Sequence, residues 1–255
     1  MKVVLTLIGG PTALIEVAGS RLLTDPTFDE PQAYDAGTIT LVKQTGPATD
    51  PASLLPIDAV LLSHDHHWDN LDHSGRAFLS HAPRVLTTPA GASRLGGSVE
   101  GLKTWESVVV HGPEKKGVRV TATPARHGPV GIEPVSGDVV GFVVTPEDSS
   151  GSIYVSGDTV WYDGVAAIKD KFDIRLAILF TGAAQPRGKF HMTMGSNDAI
   201  EFAHAFPQTD IVAIHNEGWE HFIESQSELA RSFATVGLAS RLTSLERGVP
   251  VAFEI

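Results

Sequence analysis

The chain has 255 residues, a formal net charge of -11 and no cysteine, and apolar residues make up 42% of it. This composition predicts a folded protein with a sizeable core, and it excludes disulfide bonds and thiolate metal ligands. The acidic charge argues against nucleic acid as a partner, because affinity for a phosphate backbone comes largely from Lys and Arg.

The N-terminal stretch MKVVLTLIGGPTALIEVAG carries one basic residue and is interrupted by Gly-Gly-Pro. It is too short to span a membrane and is weak as a signal peptide, so no stable membrane insertion is expected. These features favour a cytoplasmic protein. The sequence does not decide the oligomeric state, and a homo-oligomer is one of the alternatives.

The first part of the chain is predicted to be rich in β-strands. Apolar runs separated by turns predict an antiparallel meander at residues 3–8, 13–17 and 21–24. Residues 27–56 hold four prolines and few apolar runs, which predicts a long surface excursion and a candidate lid. Further strands are expected at residues 58–62, 84–88, 107–111, 118–123, 139–145 and 152–156.

The second part alternates strand-like and helical patterns. Apolar runs at residues 174–180 and 210–215 are each followed by a helical pattern, at residues 196–206 and 225–236. Strands followed by strand-helix units predict an α/β fold of two sheets with helices outside. No linker or change in composition divides the chain, so we expect residues 1–255 to form a single domain.

Residues 63–72, SHDHHWDNLD, place three histidines and three aspartates directly after an apolar run. A lone histidine is most often a satisfied structural residue, but a group at a strand end favours a metal site. Side chains at i and i+2 of an extended segment point the same way, so His64 and His66 can share one cation. Asp69 and Asn70 can fold back from the turn that follows.

Three further candidate ligands also follow apolar or β-like segments. His127 comes after the segment at residues 118–124, Asp158 follows Ser-Gly after a strand, and His215 closes the run at residues 210–214. Because neighbouring strand ends of a sheet converge, we expect these side chains to meet the histidine cluster.

The order of these segments resembles the metallo-β-lactamase-fold hydrolases, whose pattern is His-x-His-x-Asp-His, a lone His, an Asp after Gly and a final His. Within that superfamily the chain looks most like the branch with L-ascorbate-6-phosphate lactonase and N-acyl-phosphatidylethanolamine phospholipase D. The branch features are LLTDP at residues 22–26, His-Asp-His at residues 64–66, and His191-Met192. The resemblance covers about residues 3–222. It implies a four-layer αββα sandwich of two mixed β-sheets with outer helices.

The resemblance also implies a set of metal ligands. They are His64, His66 and His127 for a first cation, Asp69 and His215 for a second, and Asp158 as a bridge between them. Aligning Asp69 requires one inserted residue after His66, and Asn70 then replaces the motif's last histidine. An amide is a weaker ligand for zinc than an imidazole, so the second site is expected to be the weaker one. His67 either compensates or is a solvent-facing loop residue.

The mechanism that the resemblance implies is metal-assisted hydrolysis on one or two divalent ions. Zinc is favoured, and manganese or iron are alternatives. Asp158 and Asp69 would orient a metal-activated water and take its proton, and His191 would contact the substrate or stabilise developing charge. Asp25 is a candidate acceptor for a ligand histidine. His221, close to the final ligand, is expected to be structural, with the pocket as the alternative.

Basic residues near these ligands in the sequence predict the kind of substrate. Arg126, Arg187 and Lys189 are candidates for binding an anion, although solvated loop charges explain them equally well. The leading hypothesis is a hydrolase of the lactonase or phosphodiesterase type, acting on a small anionic ester, lactone or phosphodiester. The alternative, favoured by Asn70, is a metal-binding but catalytically weak ligand-binding or sensor protein of the same fold.

Overall fold

The computed structural model describes residues 1–112 and 117–255 of the chain. The strands in chain order are β1 Lys2–Gly9, β2 Thr12–Val17, β3 Ser20–Thr24, β4 Ala33–Asp35, β5 Thr40–Val42, β6 Ala59–Leu61, β7 Val85–Thr87, β8 Val99–Gly101, β9 Ser107–His111, β10 Gly117–Pro124, β11 Val140–Pro146, β12 Gly151–Val155, β13 Asp173–Phe180, β14 Asp210–Ile214, β15 Leu242–Thr243 and β16 Pro250–Glu254. The helices are α1 His73–Phe78, α2 Pro89–Leu95, α3 Glu133–Ser136, α4 Asp163–Ala166, α5 Ser196–Ala205 and α6 Gln226–Thr235.

Most strands belong to two large mixed sheets. The first has the order β16-β1-β2-β3-β6-β7-β8, and the second has the order β15-β14-β13-β12-β11-β10-β9. In each sheet an antiparallel part meets a parallel part, at β3 and β6 in the first and at β12 and β13 in the second. Every strand and helix expected from the sequence lies within one residue of its expected bounds.

Three buried apolar clusters define the layers. One cluster joins the facing sides of the two sheets and contains Leu5 and Ile15 of the first and Phe142 of the second. A second cluster packs α4, α5 and α6 on the outer side of the second sheet, and a third packs α1 on the outer side of the first. Helices therefore cover both outer faces, which confirms the expected αββα sandwich. It also explains why β6 and β7 are apolar without alternation, since both of their faces are buried.

The sequence at residues 27–56 folds into more structure than its composition indicates. It contains the β4–β5 hairpin and a 3-10 turn at Pro51–Leu54. Asp72 fastens the segment to the molecule, because its carboxylate accepts hydrogen bonds from the backbone of Phe28 and Asp29 and from Lys43 Nζ. The excursion is thus a pinned hairpin, whereas the sequence suggested only a long loop.

The helices are short. Within residues 1–112 and 117–255 the longest are α5 and α6, with 10 residues each. A transmembrane helix needs about 20 apolar residues. No helix in this part of the chain is long and apolar enough to cross a membrane.

Candidate metal centre

The candidate ligands gather where strand ends of the two sheets meet. His64 follows β6 of the first sheet, whereas His127 follows β10 and Asp158 follows β12 of the second. His215 comes directly after β14 with φ of 58°, in the left-handed region that β-strand residues avoid. Strained backbone of this kind persists where surrounding structure holds a functional side chain in place.

Three imidazoles form the first group of this centre. His64 Nε2 lies 2.8 Å from His67 Nδ1, and His127 Nε2 lies 3.1 Å from the same atom. The three ligand nitrogens all lie within 4.8 Å of one another. His64 and His127 are buried, and His67 is partly buried at the floor of a cavity.

Hydrogen bonds to the outer nitrogens decide which ring nitrogens carry protons. His127 Nδ1 lies 2.7 Å from the carbonyl oxygen of Met192, which only accepts, so Nδ1 must donate. Ser63 Oγ donates to Asp25 Oδ1 at 3.0 Å and therefore accepts from His64 Nδ1 at 2.9 Å. In neutral rings the inner Nε2 atoms of His64 and His127 are then bare lone pairs.

His67 cannot satisfy both of those lone pairs, since its Nδ1 carries at most one hydrogen. Burial lowers the pKa of His64 well below its usual value, and burial together with the neighbouring His127 lowers the pKa of His67 to about 3. The rings of His64 and His67 are therefore neutral near pH 7. Three imidazole nitrogens that converge without enough hydrogens fit a metal cation.

Two carboxylates and one imidazole form the second group. Asp158 Oδ1 lies 3.0 Å from His215 Nδ1, and Asp69 Oδ2 lies 3.8 Å from His215 Nε2. Asp158 also approaches the first group, with Oδ2 3.5 Å from His127 Nε2. Among the described residues, neither Asp158 Oδ2 nor either ring nitrogen of His215 has a hydrogen-bond partner.

The charge of this second group also fits a cation. Burial alone would raise the pKa of Asp158, but His215 and His127 lower it below its ordinary value. Burial likewise opposes ionisation of Asp69, and the hydrogen bond from His221 lowers its pKa well below the usual range. Burial lowers and Asp158 raises the pKa of His215, with a net shift above its ordinary value. The group therefore gathers two buried carboxylates around one imidazole, a donor set that suits a divalent cation.

The structure does not bring His66 into either group. Its Nε2 donates to the carbonyl oxygen of Ser136 at 2.7 Å, and its ring lies over Gly137. His67 takes the inward position that the resemblance assigned to His66. Asn70 lies beside the second group, where its Nδ2 donates to Asp158 Oδ1 at 3.2 Å.

His191 lies outside the centre, although its neighbour contributes to it. The His191 ring packs against Gly195 at the start of α5 and does not line the cavity. Met192 instead supplies the carbonyl oxygen that orients His127, and its side chain lines the cavity. In the His-Met pair, therefore, Met192 and not the His191 ring lies at the centre. The sequence pattern does not reveal this.

A cavity of about 310 Å³ opens above the two groups. Its lining combines the floor residues with the β4–β5 hairpin, the loop before α5 and Val135 of α3: Asp35, Ala36, Gly37, Ile39, Leu41, His66, His67, Trp68, Asp69, His127, Val135, Ala184, Pro186, Arg187, Met192 and His221. Most of the wall away from the floor is apolar. The hairpin turn and the opposite wall are linked where Arg187 donates to Thr38 Oγ1 at 3.1 Å.

The three expected anion-binding residues have different positions. Arg187 lines the cavity, and among the described residues it is the one Lys or Arg that does so. Lys189 is exposed and does not line it. Arg126 lies over the ring of Tyr162 at 4.5 Å and faces a neighbouring pocket.

Sequence reasoning gave His221 no specific role, yet it lines the cavity and contacts Asp69. Its position six residues after His215, between Trp219 and Phe222, was the available signal. Sequence reasoning also missed Ser63, whose hydroxyl bridges Asp25 and His64, although this residue directly precedes the first histidine.

Comparison with known proteins gives a consistent family. The model of the beta-lactamase superfamily domain matches residues 20–216. A UPF0173 metal-dependent hydrolase of Opitutus terrae is 30% identical over 83% of this chain and 83% of its own length. The UPF0173 protein YddR of Bacillus subtilis is 26% identical over 98% of this chain and 99% of its own.

A similar solved structure is that of an isothiocyanate hydrolase from Delia radicum gut bacteria. It is 26% identical in sequence, with a TM-score of 0.83 and coverage of 100% of both chains. The fold of this chain is therefore similar to that enzyme's fold over the full length of both chains.

Proposed function

Because the chain belongs to the beta-lactamase superfamily of metal-dependent hydrolases, we propose that it hydrolyses a small ester or lactone in the cavity above its two ligand groups. One observation carries the proposal: three imidazoles that are short of hydrogens, and beside them two carboxylates and a fourth imidazole, converge at the floor of that cavity. The arrangement fits a hydrolytic metal centre better than a structural one, because an open cavity leaves room for water and substrate.

The ligand types favour different cations in the two groups. Three imidazoles suit zinc, with iron as an alternative, whereas two carboxylates with one imidazole also suit manganese. A bound divalent cation lowers the pKa of its water from about 15.7 towards 7 and polarises a substrate oxygen.

Asp158 is the residue best placed to handle the proton of the attacking water. Its Oδ2 lies between the groups, 3.5 Å from His127 Nε2, and has no hydrogen-bond partner among the described residues. A carboxylate in that position orients water and accepts its proton. Asp69 orients the water from the other side, while its Oδ2 is already engaged by His221. His191 has no role in this proposal, because its ring lies away from the cavity.

The walls of the cavity support a small, mainly apolar substrate with at most one negative charge. Ile39, Leu41 and Val135 line the wall, and Arg187 and Asp35 each place one charged residue in the lining. A carboxylate or phosphate on the substrate would bind Arg187. A lactone or ester with an apolar part fits this lining better than a phosphodiester does. Among the described residues the lining has Arg187 but no cluster of basic side chains that would bind a phosphate.

An isothiocyanate is a second candidate substrate. The enzyme that shares the fold over its whole length at 26% identity is an isothiocyanate hydrolase. Isothiocyanates are small and uncharged, and their central carbon accepts attack by water as an ester carbonyl does. The apolar wall of the cavity suits such a molecule.

The test combines metal analysis with turnover. We expect the purified protein, equilibrated with zinc or manganese, to hold at least one metal equivalent and to hydrolyse members of a panel of lactones, esters, phosphodiesters and isothiocyanates. His127→Ala should lose the metal of the first group and abolish turnover. Exposed His204 on α5 provides the matched control, because His204→Ala removes an imidazole far from the cavity.

Metal binding without turnover on any of these substrates would favour the binding or sensor protein that Asn70 suggests. If the protein holds no metal after loading, both the hydrolase and the metal-binding sensor are excluded. The single-domain organisation, the cytoplasmic location, the homo-oligomer and the narrower lactonase and phospholipase branch stay predictions.

A further inference from the structure

Asn70 stands where the family motif has its last ligand histidine, and its side chain already has a different task. The Asn70 Nδ2 donates to Asp158 Oδ1 at 3.2 Å, which orients the carboxylate that lies between the two groups. The amide oxygen is buried without a hydrogen-bond partner among the described residues. The second group therefore lacks one imidazole and relies more heavily on its carboxylates.

His221 contacts that group from the opposite side of the cavity floor. Its Nε2 lies 2.9 Å from Asp69 Oδ2, and only 9% of its side chain is exposed. The ring packs against Phe222 with centroids 4.6 Å apart, and the His221 carbonyl oxygen accepts from Gln185 N. Packing and backbone hydrogen bonding thus hold the imidazole in one orientation.

The direction of the His221 to Asp69 hydrogen bond follows from the acceptor. An ionised carboxylate only accepts, so His221 Nε2 carries the hydrogen and donates it. The bond is charge-assisted and fixes Oδ2 of Asp69, which lies 3.8 Å from His215 Nε2. Asp69 is otherwise free to rotate about its terminal torsion, where side chains have broad preferences.

We propose that His221 is a positioning residue of the second cation group, which holds Asp69 in place for the cation and so compensates for the histidine that Asn70 replaces. Asn70 orients Asp158 and His221 orients Asp69, so each carboxylate accepts a hydrogen bond from a side chain behind it. The proposal rests on one part of the proposed function, namely that cations bind at these two groups. Groups that orient metal-bound carboxylates typically contribute about 10–100-fold in metal affinity.

The test measures metal binding directly. The wild-type chain, dialysed against zinc and manganese and analysed for both elements, should hold two equivalents, and competition with a chelator gives the affinity of each. His221→Ala should weaken the second equivalent by about 10–100-fold and leave the first unchanged. His221→Gln should restore it, because the glutamine amide donates an N–H at the position of Nε2 but is a poor metal ligand. His204→Ala is the control.

Two results would overturn the proposal. One is a His221→Ala protein that keeps wild-type affinity for the second equivalent. The other is a His221→Gln protein that loses this equivalent as His221→Ala does, which would make His221 a direct ligand. The readout of this test is metal binding, which does not depend on turnover. If the protein hydrolyses no substrate of the panel, the proposed function fails, whereas the role of His221 is still tested.

Discussion

His66 and His67 are neighbours in the chain with ring centroids 4.3 Å apart, and the structure gives their ring nitrogens different partners. His67 faces the rings of His64 and His127, whereas His66 donates to the Ser136 carbonyl oxygen. Gly137 makes this possible: a Cβ there would lie 2.4 Å from His66 Nε2. Any side chain at position 137 would therefore push the His66 ring out of its place.

Matched substitutions of these two histidines distinguish ligand from anchor. His67→Gln should lose the first metal equivalent, with a loss of affinity larger than the ~10–100-fold typical of supporting groups. His66→Gln should keep that equivalent and lose about 1 kcal/mol of stability through the weakened hydrogen bond to Ser136. Elemental analysis and urea denaturation measure the two effects. The reverse pattern, with metal lost only from His66→Gln, would support the alignment taken from the family motif.

At the scale of elements, the loop that carries the ligands is fastened to the excursion by Asp72. Besides Phe28, Asp29 and Lys43, its carboxylate accepts from Gly75 N at 2.8 Å and so caps α1. Its partner Lys43 is equally buried, with Nζ 2.7 Å from Oδ2 and 3% of the side chain exposed. One carboxylate thus ties together the motif loop, the first turn of a helix and the base of the hairpin that walls the cavity.

Replacing this carboxylate should destabilise the protein strongly. Asp72→Asn leaves the buried ammonium of Lys43 without its counter-charge, and breaking a buried pair in this way costs about 3–5 kcal/mol. Urea denaturation of the metal-free protein measures the change. Asp50→Asn is the control, because Asp50 caps an exposed 3-10 turn where Asn serves almost equally well. A loss of stability below about 1 kcal/mol in Asp72→Asn would show that the buried pair of Asp72 and Lys43 does not contribute strongly to stability.

At the scale of the whole molecule, the centre joins the two sheets. His64 and His67 come from the loop after β6 in the first sheet, whereas His127, Asp158 and His215 follow strands of the second. A cation shared by these groups is a link across the sandwich. Because the link exists only in the folded state, metal binding must add to the free energy of unfolding.

Metal removal should therefore lower stability by an amount set by mass action. At free zinc about 100 times the dissociation constant, the metal adds about 2.7 kcal/mol to the free energy of unfolding. Urea denaturation with zinc and with a chelator measures the difference. In His127→Ala the difference between the two curves should shrink, since one of the three imidazoles of the first group is missing. A wild-type protein indifferent to the chelator would contradict a cation that links the sheets.

Much of the fold was predictable because strands and longer helices leave local patterns. Each element that the apolar runs and the caps predicted lies within one residue of its expected bounds, as at β10 and α6. Strands β8, β15 and β16 and helices α3 and α4 were not expected. Neither were the β4–β5 hairpin and the short helices α1 and α2. Their stability comes from distant contacts, such as those of Asp72, and only the capping residues Asp72 and Thr88 mark the helices in the sequence.

The sequence by itself determined the metal-dependent hydrolase family and the strand ends from which the candidate ligands come, because residues that follow neighbouring strands converge whatever their rotamers. Only the tertiary structure decided which side chains face the cation. The carbonyl oxygens of Ser136 and Met192 select the orientations of His66 and His127 across 70 and 65 positions of the chain. Hydrogen bonds from such distant backbone atoms leave no trace in local spacing, and for the same reason His221 was recognised only once Asp69 lay beside it.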